Sequence, residues 1–281
     1  MSTTVFIAVI FAAFIHSVWN GMVKKHENKY IALTAIVLGH IPLAIMVLFF
    51  TPMISINSIP YIFISAIFLA GYEWCLLSAY RLEDFTKVYP VARGSAPIFI
   101  LIFSLLFFNV NISTFELIGI FTISIGIVVL SFKSFANIEN YKAILYAITT
   151  GFFISCYSIT DGFGGKVSAS PLNYTAWLMI SNAIVAFPIL LIIMKKIEVL
   201  KDIFTKGKKI FFVGGSFSFT AYAVVVWAWT QAPVPTVAAL RETSIIFAIL
   251  IGTFFLKEKL NFIKIISIMI IFSGVLLLKL L

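Results

Sequence analysis

The sequence predicts an all-α integral membrane protein, with ten transmembrane helices set out as two inverted five-helix repeats. Three observations lead there: how apolar the chain is, how evenly its apolar runs are spaced, and how two arginines recur at one internal offset. Of 281 residues, 62% are apolar and only 11% charged, against the roughly one-quarter charged usage of soluble domains. A soluble core has no use for that much apolar surface. The opening run, "VFIAVIFAAFIHSVWNGMVKK", carries its lysines after the apolar stretch. A secretory signal carries its basic residues before it, so the run reads as a retained first span.

Crossing the hydrocarbon core takes about 20 largely apolar residues. Ten such runs occupy residues 3–23, 30–50, 59–80, 85–108, 113–132, 142–163, 171–194, 210–231, 234–256 and 261–280. They are about twice the length of a barrel strand and therefore read as helices. Charge and turn residues separate them, as in "KKHENK", "RLED" and "KKIEVLKDIFTKGKK". Of the 20 lysines and arginines, 16 fall on the connections that follow odd-numbered spans, and only Lys166 and Lys279 on the opposite face. The positive-inside rule then predicts both termini outside a cell's inner (plasma) membrane and the basic loops in the cytoplasm. The net charge of +9 thus belongs to membrane-flanking loops rather than to a nucleic-acid surface. Cys75 and Cys156 lie within apolar runs and read as buried packing residues, not as a disulfide or metal site.

The last two of the 20 basic residues, Arg93 and Arg241, stand inside spans and mark an internal repeat. An offset of 148 sets Arg93 on Arg241, Ile98 on Ile246, Phe99 on Phe247, Phe107 on Phe255 and Gly126 on Gly274. Just upstream, an offset of 149 pairs Ala79 with Ala228, Tyr80 with Trp229 and Val88 with Val237. "SVWNG" at 17–21 overlies "SITDG" at 158–162, pairing Asn20 with Asp161. The predicted units are residues 1–136 and 137–281. Five helices per unit is odd, so the two must be inverted across the membrane, the architecture expected of alternating access.

The tail "FLKEKLNFIKIISIMIIFSGVLLL" resembles the EamA-type repeat of the drug/metabolite transporter superfamily, which places an acid, a small residue and a glycine at fixed spacing. Those slots hold Glu258, Ser267 and Gly274 here, and Val110, Gly119 and Gly126 in the first half. The "WNG" of residues 19–21 is similar to the tryptophan-small element of the family's first helix. The resemblance implies a ten-helix transporter and leaves the substrate unspecified. The small multidrug branch keeps a glutamate in its first helix, whereas "FAAFIHSVWNG" has no acid, which argues against a simple proton-for-cation exchange. Independently of the family, Gly119 and Gly126, like Ser267 and Gly274, share a helical face and suit close helix packing. Glu258 reads as an interfacial partner of its flanking lysines.

An arginine at bilayer depth costs on the order of 3 kcal/mol, so both intramembrane arginines need a reason. Arg93 lies about 12 Å into its span and Arg241 about 10 Å into its own, from opposite faces, so both approach the midplane. Pro90, Gly94 and Pro97 predict a kink in the fourth span, whereas Pro233 and Pro235 fall in the tolerated opening turn of the ninth, predicted unbroken. Glu242, one residue on from Arg241, is predicted to point about 100° away from it. The candidate substrate-binding residues are Arg93, Arg241, Glu73, Trp19, Asn20, Tyr89 and Tyr222, and the gating or coupling candidates are His16, Asp161 and Glu242. Glu73, flanked by Tyr72 and Trp74, reads either as a binder of an ammonium group or as the acid paired with Arg93. Asp161 reads as a solvated gate near the outer end of its span. His16 and His40 read as hydrogen-bonded links and His26 as a solvated loop residue, while Tyr80, Asn182, Trp227 and Trp229 are further cavity candidates.

These residues predict a secondary transporter that moves a small polar metabolite by alternating access, best an amino acid or related anionic or zwitterionic solute. Its partners would be that solute and membrane lipid, with a gradient of an ion or proton, or exchange, as the energy source. The phosphate-binding motif GxxxxGK[ST] does not occur in the sequence, and no cofactor is called for. A lipid flippase or a small-molecule channel is the alternative. A membrane-embedded enzyme fits less well, because no paired catalytic carboxylates, HExxH or GxSxG triad is legible.

Overall fold

A computed structural model describes residues 1–108, 110, 112–136, 140–194, 199–255, 257 and 259–279, and among them every regular element is helical. Five helices make up the first half: α1 (Thr3–Lys25), α2 (Lys29–Leu48), α3 (Ile59–Leu82), α4 (Phe85–Phe107) and α5 (Thr114–Ala136). The second half holds α6 (Tyr141–Val167), α7 (Pro171–Met194), α8 (Val199–Lys206), α9 (Gly215–Gln231), α10 (Val234–Arg241), α11 (Ser244–Phe255) and α12 (Phe262–Lys279). A π-helical turn, Ile210–Gly214, leads into α9, and α10 with α11 forms a single span, Val234–Phe255. Among the described residues, ten helical spans are thereby long and apolar enough to cross a membrane, as the sequence predicts. The short α8 lies in the basic connection "KKIEVLKDIFTKGKK", which sequence reading treats only as a break. Glu258 falls outside the described residues.

Short polar side chains fix where the helices start. Ser2 accepts from the Val5 amide, Asn28 from the amides of Tyr30 and Ile31, and Asn140 from that of Lys142. Each satisfies an N–H that the first turn would otherwise leave without a partner. At α5, Ser113 and Glu116 form a reciprocal capping box: the Ser113 amide donates to Glu116 and the Glu116 amide to Ser113.

The packing is reciprocal between the halves. Helix α1 packs on α9 as α3 packs on α6; α1 meets α10 and α11 as α6 meets α4; α2 meets α9 as α7 meets α3. Helix α2 lies against α7, and α5 against α12. Each contact maps onto its counterpart, or itself, when the halves are exchanged. The α5–α12 seam uses the small faces. A Cβ on Gly274 would sit 2.9 Å from the Gly119 carbonyl oxygen, and one on Gly126 would sit 2.6 Å from Ile271 Cγ1. Hydrogen at these positions lets two backbones approach where lipid supplies no hydrophobic drive between helices.

The interruption falls in the ninth span and not in the fourth. Helix α4 runs as one element through Pro90 and Pro97. Between α10 and α11 the chain tightens: the amides of Glu242 and Thr243 donate to Ala239 and Leu240, three residues back. The Thr243 hydroxyl also donates to the Leu240 carbonyl at 2.8 Å. The three-residue bonds mark the place where the backbone leaves α-geometry.

Candidate functional site

The break delivers Glu242 to the place where the arginines meet. Glu242 ends α10 with φ −68° and ψ −10°. Helical spacing sets neighbouring side chains about 100° apart, but those of Arg241 and Glu242 are long enough for their charged ends to approach. Arg93 Nη2 lies 2.8 Å from Glu242 Oε1, and Arg241 Nε lies 4.0 Å from the same oxygen. All three are buried, at 5%, 4% and 1% exposure. The offset of 148 that aligns the arginines places Glu242 on Gly94, so only one half supplies an acid. Formal charge at the triad is therefore +1, and a buried charge must find a partner. Arg241 also stands 5.9 Å from the Trp229 ring and in contact with the Tyr157 hydroxyl. Among the described residues, Arg93 Nε, Arg241 Nη2 and Glu242 Oε2 are buried without a hydrogen-bond partner. On α4, Pro97 has no N–H for the Arg93 carbonyl four residues back.

Both arginines line one cavity of about 990 Å³, its opening included. Of the predicted substrate-binding residues, Trp19, Asn20, Glu73, Tyr89 and Tyr222 line it too, as does His16. Most of its wall comes from α1, α3 and α7 toward their ends and from α2, α4 and α9 toward their starts, parts that lead toward the face carrying the loops 26–28 and 83–84. Tyr157 of α6 and Arg241 of α10 close it from the other side. The cavity is thus displaced from the centre toward the basic-loop face.

Glu73 does not serve Arg93, whose acid is Glu242. It accepts at Oε1 from Asn182 Nδ2 at 3.0 Å, while its Oε2 and Asn182 Oδ1 are buried acceptors without a donor. Asn182, on α7, belongs to the wall as well. Asp161 departs from the sequence expectation: it is 0% exposed, not solvated. Tyr174 donates to its Oδ1 at 2.7 Å, and Tyr222 makes a short hydrogen bond to Oδ2. A carboxylate alone among apolar helices would be untenable; two tyrosine hydroxyls make it a buried link between α6, α7 and α9. The Trp229 ring packs edge-on to Tyr222 at 6.0 Å on the same side.

His16 and His40 differ from expectation too. His16 Nε2 and both ring nitrogens of His40 have no hydrogen-bond partner, so neither is a polar link; His40 lines the cavity. His26, in its loop, is half-buried and bonds the carbonyls of Asn28 and Lys206. Tyr80, Trp227 and Trp229 are not among the wall residues. Tyr72, read from sequence as an aromatic flank of Glu73, lines it, whereas Trp74 does not. Tyr157 and Ser218, which sequence reading missed, line it too, since one tyrosine among 10 carries no mark of facing a cavity. Cys75 is buried, Cys156 is partly so, and both are free thiols. Among the described residues, no group of His, Cys, Asp and Glu is arranged to hold a metal ion.

Comparison with known proteins agrees with this architecture. A solved structure described as "Crystal structure of protein" superposes with a TM-score of 0.73, covering 100% of this chain and 99% of its own at 14% identity. At that identity the likeness is one of fold. No curated protein matches the chain. Residues 141–280, the second five-helix half, match the EamA-like transporter family. With its ten apolar helices, the chain is a multi-pass membrane protein that belongs, through this half, to the EamA-like transporter family.

Proposed function

We propose that the protein is a secondary transporter that moves a small zwitterionic metabolite, an amino acid or close relative, by alternating access. One observation carries the reading: the wall that bears Arg93 and Arg241 also bears Glu73. The triad's surplus positive charge and unpartnered guanidinium nitrogens suit a carboxylate, held best by a planar, permanently charged donor. Glu73 Oε2 and Asn182 Oδ1, two acceptors lacking donors, suit an ammonium group, and Tyr72 on the same wall adds an aromatic face. Solute of either charge alone would satisfy half of this arrangement.

The reciprocal packing supports two units, residues 1–136 and 137–281, related by an inverted repeat. In the conformation described, the cavity lies toward the basic-loop face, which the lysine distribution assigns to the cytoplasm of a cell whose inner membrane holds both termini outside. The far end is closed by Asp161, Tyr174 and Tyr222. Tyr222 belongs both to the cavity wall and to this closure, so it can report occupancy from one to the other. His16, beside Arg93 and Arg241 in the wall, is the remaining candidate for coupling.

Counterflow in proteoliposomes tests the reading. Vesicles loaded with unlabelled amino acid should accumulate the labelled form saturably, and Arg93→Ala and Arg241→Ala should each abolish this while still purifying as folded protein. Unsaturable flux without acceleration by internal solute would establish a channel instead.

A further inference from the structure

Beyond the carboxylate and ammonium sites, one stretch of the cavity wall holds polar atoms that neither site uses. Trp19 Nε1, His16 Nε2 and both nitrogens of His40 are buried and have no hydrogen-bond partner among the described residues. All three side chains line the cavity. His16 and Trp19 pack edge-on at 4.8 Å, so they form one unit on α1, and His40 faces the same space from α2. Around them the wall is apolar, with Leu33, Ile36 and Val37 from α2 and Leu190 from α7.

Buried polar atoms in folded proteins are almost always paired, and a concentration of exceptions within a single cavity describes what a ligand must bring. Indole N–H only donates; a neutral imidazole offers one donor and one acceptor whichever tautomer it holds. Together the three present donors and acceptors at once, set in an apolar surround. A purely apolar side chain would leave all of them unsatisfied. A hydroxyl or carboxamide, which itself donates and accepts, would complete them.

We infer that Trp19, His16 and His40 form a side-chain subsite that selects zwitterions bearing a hydrogen-bonding group over isosteric apolar ones. The inference rests on the transport reading above and narrows it. A site built to bond a polar group discriminates strongly against the analogue that lacks it, because its own groups are then stranded.

The test uses near-isosteric pairs, L-asparagine against L-leucine and L-tyrosine against L-phenylalanine, with binding to the purified protein measured for each. The wild type should favour the polar member of at least one pair by about fivefold or more, the ratio that one net hydrogen bond supplies. His40→Leu and Trp19→Phe, checked for folding by monodispersity and thermal melting, should each bring that ratio toward one. The two variants are read separately, so that misfolding of one leaves the other decisive. A wild type that favours the apolar members, or a ratio unchanged in the folded variants, overturns the subsite. If Arg93→Ala then still abolishes binding, only the subsite has fallen. If none of the four binds, or Arg93→Ala binds them as the wild type does, the transport reading falls and the subsite with it.

Discussion

Glu242 is the residue on which the charges turn. It sits against Arg93 at 2.8 Å and within 4.0 Å of Arg241, and removing one member of a buried pair costs about 3–5 kcal/mol because the other is stranded. Glu242→Gln should therefore lower the thermal unfolding midpoint markedly. It should also make an added amino acid ligand more stabilising than in the wild type, since the carboxylate would then be the only anion available to two guanidiniums. A variant as stable as the wild type, or one that ligand stabilises less, would remove Glu242 from this role. Arg93→Ala should destabilise more than Arg241→Ala, because Arg93 holds the shorter contact. At this scale the sequence was partly legible. An arginine inside an apolar run is conspicuous by its cost, so Arg93 and Arg241 stand out. The partner of Arg93 does not, because the spacing of about 100° from Arg241 says nothing about a residue on another helix, and Arg93 reaches Glu242 only through packing between α4 and α10.

Two elements decide how the halves can move. The seam between α5 and α12 is held by backbone approach at Gly119, Gly126 and Gly274, with a Cβ on Gly274 placed 2.7 Å from Ile123 Cγ1. Gly274→Val should cost about 1–3 kcal/mol through overpacking, read as a lower thermal midpoint with unchanged substrate affinity; an unaltered midpoint would mean that the seam yields. The second element is the closure on α6, α7 and α9. Tyr222→Phe takes one donor from Asp161 and leaves Tyr174, so the closed end should loosen without collapse. Net efflux into solute-free medium should then rise relative to exchange, and an unchanged ratio would show that this bond does not hold the closure. Element positions were legible because apolar runs of about 20 residues are set by the thickness of lipid. The continuity of α4 was not, since Pro90 and Pro97 remove donors without revealing whether the surrounding packing keeps the helix whole. The burial of Asp161 was not legible either, because both its hydroxyl partners arrive from other helices.

Across the whole molecule, sixteen basic residues on one face set a topology that can be checked directly. In a chain with Cys75 and Cys156 replaced, a cysteine at Ser168 should react with an impermeant thiol reagent in intact cells. One at Glu27 should react only after permeabilisation; the reverse pattern would invert the orientation. The repeat was legible in its polar positions, Arg93 with Arg241 and Asn20 with Asp161, because leucines and isoleucines align by chance and charges in lipid do not. What the repeat cannot convey is where the halves differ, and Glu242 over Gly94 is such a difference. The central claim is that the two arginines together receive a carboxylate in a cavity they share. Affinity for an amino acid and for the matching amine without its carboxylate, L-phenylalanine against phenethylamine, measured in the wild type, each arginine-to-alanine variant and the double variant, tests it most directly. The account predicts strong wild-type preference for the carboxylated form, lost in either single variant and no further reduced in the double; equal affinity for the two ligands in the wild type, or a preference that survives both substitutions, would contradict it.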